Sequence, residues 1–126
     1  MIRYAFLAQL DPPAPFVNVV LRNPATGTEL RDLPAQLDTA ADRTVLPESM
    51  VRSLDLPQVG TMKFGGFGGV MHTLPVYAVL LGLHDLPIQP FKVAAHTEES
   101  WILLGRDVLN AYRVLLDGPQ LALQIG

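Results

Sequence analysis

Proline and glycine interrupt this chain so often that no long helix fits between them. Eleven prolines and ten glycines are spread over 126 residues. Proline removes a backbone donor and fixes φ, and glycine weakens any regular element it interrupts. The pieces left between are short and rich in Val, Leu and Phe, as strands are. Candidate strands are 2–7, 16–22, 35–38, 59–64, 70–81, 88–94, 101–104, 113–117 and 120–125. Residues 23–28 read as a hairpin loop, and Asp117-Gly118-Pro119 as a tight turn before the last strand. Only 48–54, after Pro47, and 106–112 read as helices; Val108, Leu109 and Tyr112 share one face of the second. This pattern predicts an all-β domain, a closed or semi-closed barrel with one or two short helices. No repeat or linker divides the chain, so residues 1–126 are expected to form a single domain.

Charge and composition exclude several functions. Hydrophobic side chains make up 49% and charged ones 17%, as in folded globular domains. The net charge is −3 with no run of Lys or Arg, which argues against a nucleic-acid groove or an anionic membrane surface. No cysteine is present, so disulfides and thiolate metal sites are excluded. His72, His84 and His96 are scattered, and neither a metal nor another cofactor is expected. No apolar run is long enough to span a bilayer, and residues 1–8 are too short for a signal peptide. The cytoplasm is the expected location.

Three segments carry chemistry. In the first, Ala35-Gln36-Leu37-Asp38-Thr39-Ala40-Ala41-Asp42-Arg43-Thr44-Val45-Leu46, an apolar approach delivers one carboxylate, a hydroxyl and two small side chains. Such a stretch places an acid on a tight turn at the mouth of a buried sheet. The same pair also suits a plain Asx turn. The second, Gly65-Gly66-Phe67-Gly68-Gly69, sets two glycine pairs around one aromatic residue between strand-like arms. A plain hairpin needs one or two such residues; four suit a tip that moves or lays its backbone on a ligand. A phosphate-binding loop would call for a following Lys-Ser/Thr pair and a helix, and neither is there. The third is Trp101-Ile102-Leu103-Leu104-Gly105-Arg106-Asp107-Val108-Leu109, a buried strand running into a glycine and a short helix.

In this order and at these separations, the three segments resemble the retropepsin-like (retroviral-type) aspartic proteases. The first resembles their active-site loop, Asp-Thr/Ser-Gly, with Ala40 in place of the glycine. The second resembles their flap tip. The third resembles their Leu-Leu-Gly-Arg-Asp/Asn segment. The resemblance covers roughly residues 16–126; residues 1–10 have no clear match. It implies a closed acid-protease barrel with a flap hairpin, and an aspartic endopeptidase acting on extended peptides. Asp38, Thr39 and Ala40 then form the catalytic loop, and Gly65, Gly66, Phe67, Gly68 and Gly69 the substrate-binding flap. Asp42, Gly105 and Arg106 support the site, through an expected Asp42–Arg106 contact. Val45, Phe67, Pro87, Ile88 and Leu103 are candidates to line substrate pockets or simply to pack.

Peptide hydrolysis by this chemistry needs two carboxylates, and the chain has one Asp-Thr-Ala. The resemblance therefore implies a homodimer in which each copy supplies one Asp38. Thr39 would then bond across the two-fold axis, and the terminal strands would supply contacts. Ala41 carries no hydroxyl to stabilise an ionised dyad, so an activity optimum nearer neutral than that of pepsin-like enzymes is expected. The alternative is a catalytically weak or inactive peptide-binding or dimerisation module on the same fold.

Overall fold

A computed structural model of the chain describes residues 1–65 and 67–126. In chain order the elements are Ile2–Ala5 (β1), Phe16–Arg22 (β2), Glu29–Leu37 (β3), Val45–Pro47 (β4), Glu48–Leu54 (α1), Gln58–Gly65 (β5), Met71–Leu83 (β6), Gln89–His96 (β7), Ile102–Leu104 (β8), Arg106–Leu109 (α2), Val114–Asp117 (β9) and Ala122–Ile125 (β10). The neighbour order β2-β3-β8-β4-β7-β6 closes on itself through β2–β6 pairing, and β5 hangs on the outside of β6. The predicted all-β closed barrel with two short helices is therefore present. No helix among the described residues is long and apolar enough to cross a membrane.

The barrel closes because its strands turn apolar side chains inward at alternate positions. Val17, Val19 and Leu21 of β2 are almost fully buried, and Leu46, Leu81, Leu83, Ile102 and Leu104 meet them. Each such side chain contributes about 1.5–3 kcal/mol by leaving water. Asn23 closes the β2–β3 hairpin and is itself buried. Its Nδ2 donates to the carbonyls of Leu54 and Asp55, and its Oδ1 accepts the Ala25 N–H. One side chain thus fixes the loop and ties it to the end of α1.

Two expectations change. β3 starts at Glu29, well before residue 35. Pro34 is tolerated inside it because β3 gains its second neighbour, β8, only from Ala35 onward. The second helix stops at Leu109, and Tyr112 N–H donates to the Leu109 carbonyl in a following turn. The last strand is paired on both sides. β10 lies between β1 and β9 in a separate three-stranded sheet, with Leu123 and Ile125 buried. The N-terminal segment, which has no counterpart in the family motifs, covers it. The open edges of that sheet are β1 and β9.

Candidate active site

β3 and β8 run parallel, with Ala35 opposite Ile102 and Leu37 opposite Leu104. Parallel strands end at the same side of a sheet. The loop after β3 and the turn after β8 therefore emerge together, and this brings Asp38 and Gly105-Arg106 side by side. The ladder continues one bond further, with Asp38 N–H donating to the Leu104 carbonyl at 3.0 Å. The chain then turns sharply, and Ala41 N–H donates to the Asp38 carbonyl at 3.2 Å.

The Asp38 carboxylate is half-buried, and its Oδ1 accepts the Ala40 N–H at 3.1 Å. Alanine keeps the backbone donor that glycine would offer at this position. Ala40 does not adopt a positive φ, and it is exposed, so its methyl group meets neither strain nor crowding. Thr39 is exposed, and its carbonyl accepts Arg106 Nη1 at 2.8 Å. Arg106 N–H reaches the Ala41 carbonyl at 2.9 Å. Arg106 thus holds the loop by two carbonyls. No ion pair among the described residues joins it to Asp42, so the expected Asp42–Arg106 contact is replaced by this bonding to backbone.

The acid that does anchor the loop is Asp107. Thr44 is fully buried; its Oγ1 donates to Asp107 Oδ1 at 2.7 Å, and its N–H donates to Oδ2 at 3.1 Å. Thr44 Oγ1 in turn accepts the Gly105 N–H at 3.1 Å, and Asp107 Oδ1 accepts the Val108 N–H at 2.9 Å. Gly105 must be glycine here. A Cβ at this position would lie 2.5 Å from the Arg43 carbonyl carbon and 2.9 Å from the Thr44 nitrogen. The glycine of the third motif thus lets two backbones touch, and the Thr44–Asp107 pair fastens them.

β5 and β6 form a long hairpin that projects from the barrel, with Phe64 opposite His72 and Gly65 opposite Met71. Residues Phe67–Gly69 turn at its tip, and Gly68 and Gly69 take φ of 81° and 77°, where other residues would be strained. Gly66 and the Phe67 side chain lie outside what the structure describes. Between this hairpin and the Asp38 loop is a cavity of about 270 Å³, lined on the loop side by Ala40, Ala41, Asp42, Arg43 and Val45. A second cavity, of about 280 Å³, is lined by Leu37 and Thr39, the residues on either side of Asp38, and by Tyr112, Val114 and Leu116. Burial pushes the Tyr112 phenol above its ordinary value, which keeps it a neutral donor.

Of the proposed lining residues, Val45 faces the first cavity and Leu103 is its partner across the β4–β8 pair. Ile88 instead packs on Gly82, ten residues along β6 from His72 and so on the order of 30 Å from the tip of the β5–β6 hairpin. Pro87, beside it, is remote for the same reason. Sequence reasoning missed Thr44, Asp107, Phe64, His72, His96 and Glu99. Phe64 and His72 become neighbours only through the hairpin register, since one stands a single residue before the glycine tip and the other three after it. Among the described residues no group of three or more His, Asp or Glu side chains could hold a metal ion.

No protein-family model matches the sequence, and no curated protein matches it. The fold does match solved structures. The EIAV protease complexed with the inhibitor HBY-793 superimposes with a TM-score of 0.58 at 22% identity, over 78% of this chain and 86% of that one. The simian foamy virus (mac) protease gives 0.55 at 21%, over 76% and 92%. A retropepsin-like aspartic protease from Rickettsia conorii gives 0.54 at 14%, over 100% and 99%. That last match takes in the N-terminal strand as well. The barrel, the acid loop and the long hairpin together make this a retropepsin-like single-domain fold.

Proposed function

We propose that the chain is an aspartic endopeptidase that works as a homodimer, with Asp38 of each copy forming the catalytic dyad. The observation that carries this reading is the bonded Asp38 loop, set beside a cavity beneath a glycine-rich hairpin. Two carboxylates facing each other across a two-fold axis cannot both ionise cheaply, so they share one proton. The ionised member takes a proton from water as it attacks the scissile carbonyl, and the neutral member donates to the carbonyl oxygen. Thr39 holds the two loops against each other. The hairpin, with Gly65, Gly68 and Gly69 giving its tip freedom, closes on an extended peptide whose backbone pairs with it. The cysteine-free composition suits a reducing compartment, and we place the enzyme in the cytoplasm.

The test is incubation of the purified protein with a denatured protein mixture between acid and neutral pH, with and without pepstatin. Cleavage is expected, suppressed by pepstatin and reduced at least about a hundredfold in Asp38→Asn, since the dyad acts as a unit. The rate should peak nearer neutral than that of pepsin-like enzymes; a maximum below about pH 3 would contradict the role given to Ala41. A confirmed dimer that cuts nothing across this range sinks the proposal.

A further inference from the structure

The cavity beneath the hairpin is not a plain apolar pocket. Val45, Phe64 and Leu74 give it apolar walls, but Asp42, Arg43, His72, His96 and Glu99 also line it. His96 ends β7, and His72 stands where β6 has parted from β7, beyond their last pair, Val76 with Ala94. Their rings meet edge to face with centroids 6.4 Å apart. The Glu98 N–H donates to His96 Nδ1 at 3.0 Å. A ring nitrogen that accepts a backbone N–H carries no proton, so the proton of this imidazole sits on Nε2. His96 is thereby held as a donor whose Nε2–H lies on the ring edge away from its own backbone. Glu99 is half-buried, and no ion pair among the described residues engages it, Asp42 or Arg43.

These groups discriminate among substrate side chains. A cationic one can pair with Asp42 or Glu99, but it faces the Arg43 charge and leaves the His96 N–H without an acceptor. An anionic one can accept from His96 and Arg43, but it faces the charges of Asp42 and Glu99 and gives them no donor. An aliphatic one leaves both the donor and the carboxylates unanswered, and unanswered polar groups are what reject an ill-matched ligand. A carboxamide satisfies both kinds at once, since its oxygen accepts from Nε2–H and its NH2 donates to a carboxylate.

We propose that His96 and Glu99 are specificity-determining residues and that this cavity selects a peptide side chain ending in a carboxamide, Gln or Asn. The inference rests on the peptide-binding reading of the site. It is tested by titrating Asp38→Asn protein with four peptides that differ at one position, Gln, Leu, Glu or Lys. Binding is followed by fluorescence anisotropy and by the His96 imidazole signal in NMR. The Gln peptide should bind about tenfold more tightly than the others, as one or two partly exposed hydrogen bonds allow, and should move the His96 resonance. His96→Asn, whose Oδ1 can still accept the Glu98 N–H, should lose that margin, as should Glu99→Ala. Equal affinities, no binding by any peptide, or a margin that survives His96→Asn overturns the proposal. Cleavage by the unmodified protein separates the two readings. Cutting without carboxamide preference removes this inference alone, whereas Gln-selective binding without cutting removes only the peptidase.

Discussion

Gly105 has no room for a side chain, and the reason is tertiary. Its neighbours in space are Arg43 and Thr44, more than sixty positions away in sequence. Its backbone is extended, with φ −83° and ψ 179°, so conformation alone would admit any residue. Gly105→Ala should therefore destabilise through overpacking, by about 3 kcal/mol or more because the obstacle is backbone and cannot swing aside. A thermal midpoint lowered by roughly 10 °C would show this; an unchanged midpoint would mean that the β3–β8 exits are not in contact. The glycine was legible in the sequence as part of a motif, but its cause was not. Thr44 and Asp107 were illegible for the same reason: their partnership exists only once parallel pairing sets the two loops side by side. Ala40 is the opposite case. Its departure from the family pattern is visible in the sequence, and its unstrained fit rests on a backbone angle that no composition reveals.

Among elements, 48–54 and 16–22 have in the sequence the bounds they have in the structure, because Pro47 marks the start of α1 and apolar residues fill β2. β3 reads short in the sequence because Glu29, Arg31, Asp32 and Pro34 look like a loop. They sit instead on the outward stretch of a hairpin, where charge is useful. Arg22 and Glu29 are register partners at the turn end of the β2–β3 hairpin, and Glu29 receives donors from both Arg22 and Arg31. The hydrogen bond from Arg22 is the main cause that holds the Glu29 carboxyl below its ordinary range, with the Arg22 and Arg31 charges adding to it and partial desolvation opposing. The sign follows from linkage: a depressed folded value stabilises at pH above the unfolded value. That stabilisation is lost as pH falls through the lower, folded value. Glu29→Gln should therefore reduce the thermal midpoint at neutral pH and leave it unchanged at strongly acid pH, where the native residue is protonated. An equal difference at both pH values would assign the effect to packing instead.

At the scale of the whole molecule, the three-stranded sheet and Asp38 share one apolar face. β9 is an open edge whose Val114, Leu115 and Leu116 are 36%, 55% and 50% exposed. Val114 and Leu116 also wall the cavity that Leu37 and Thr39 complete beside the acid loop. An edge strand carrying apolar side chains invites pairing. A two-fold axis near Asp38 would bring this same face onto its own image, so dimerisation and assembly of the dyad would be one event. A stable interface needs roughly 800 Å² from each partner, about a ninth of the chain's 7242 Å² of accessible surface. Leu116→Asp tests this. The side chain is exposed in the single chain, so the substitution should leave the monomer folded, with circular dichroism unchanged. Sedimentation should shift from dimer to monomer, and cleavage should fall with it. For the native protein, activity per chain should drop on dilution below the dimer dissociation constant, because a lone Asp38 cannot complete the site. A Leu116→Asp protein that stays dimeric would move the interface elsewhere. A monomeric one that still cuts peptides would remove the shared dyad altogether.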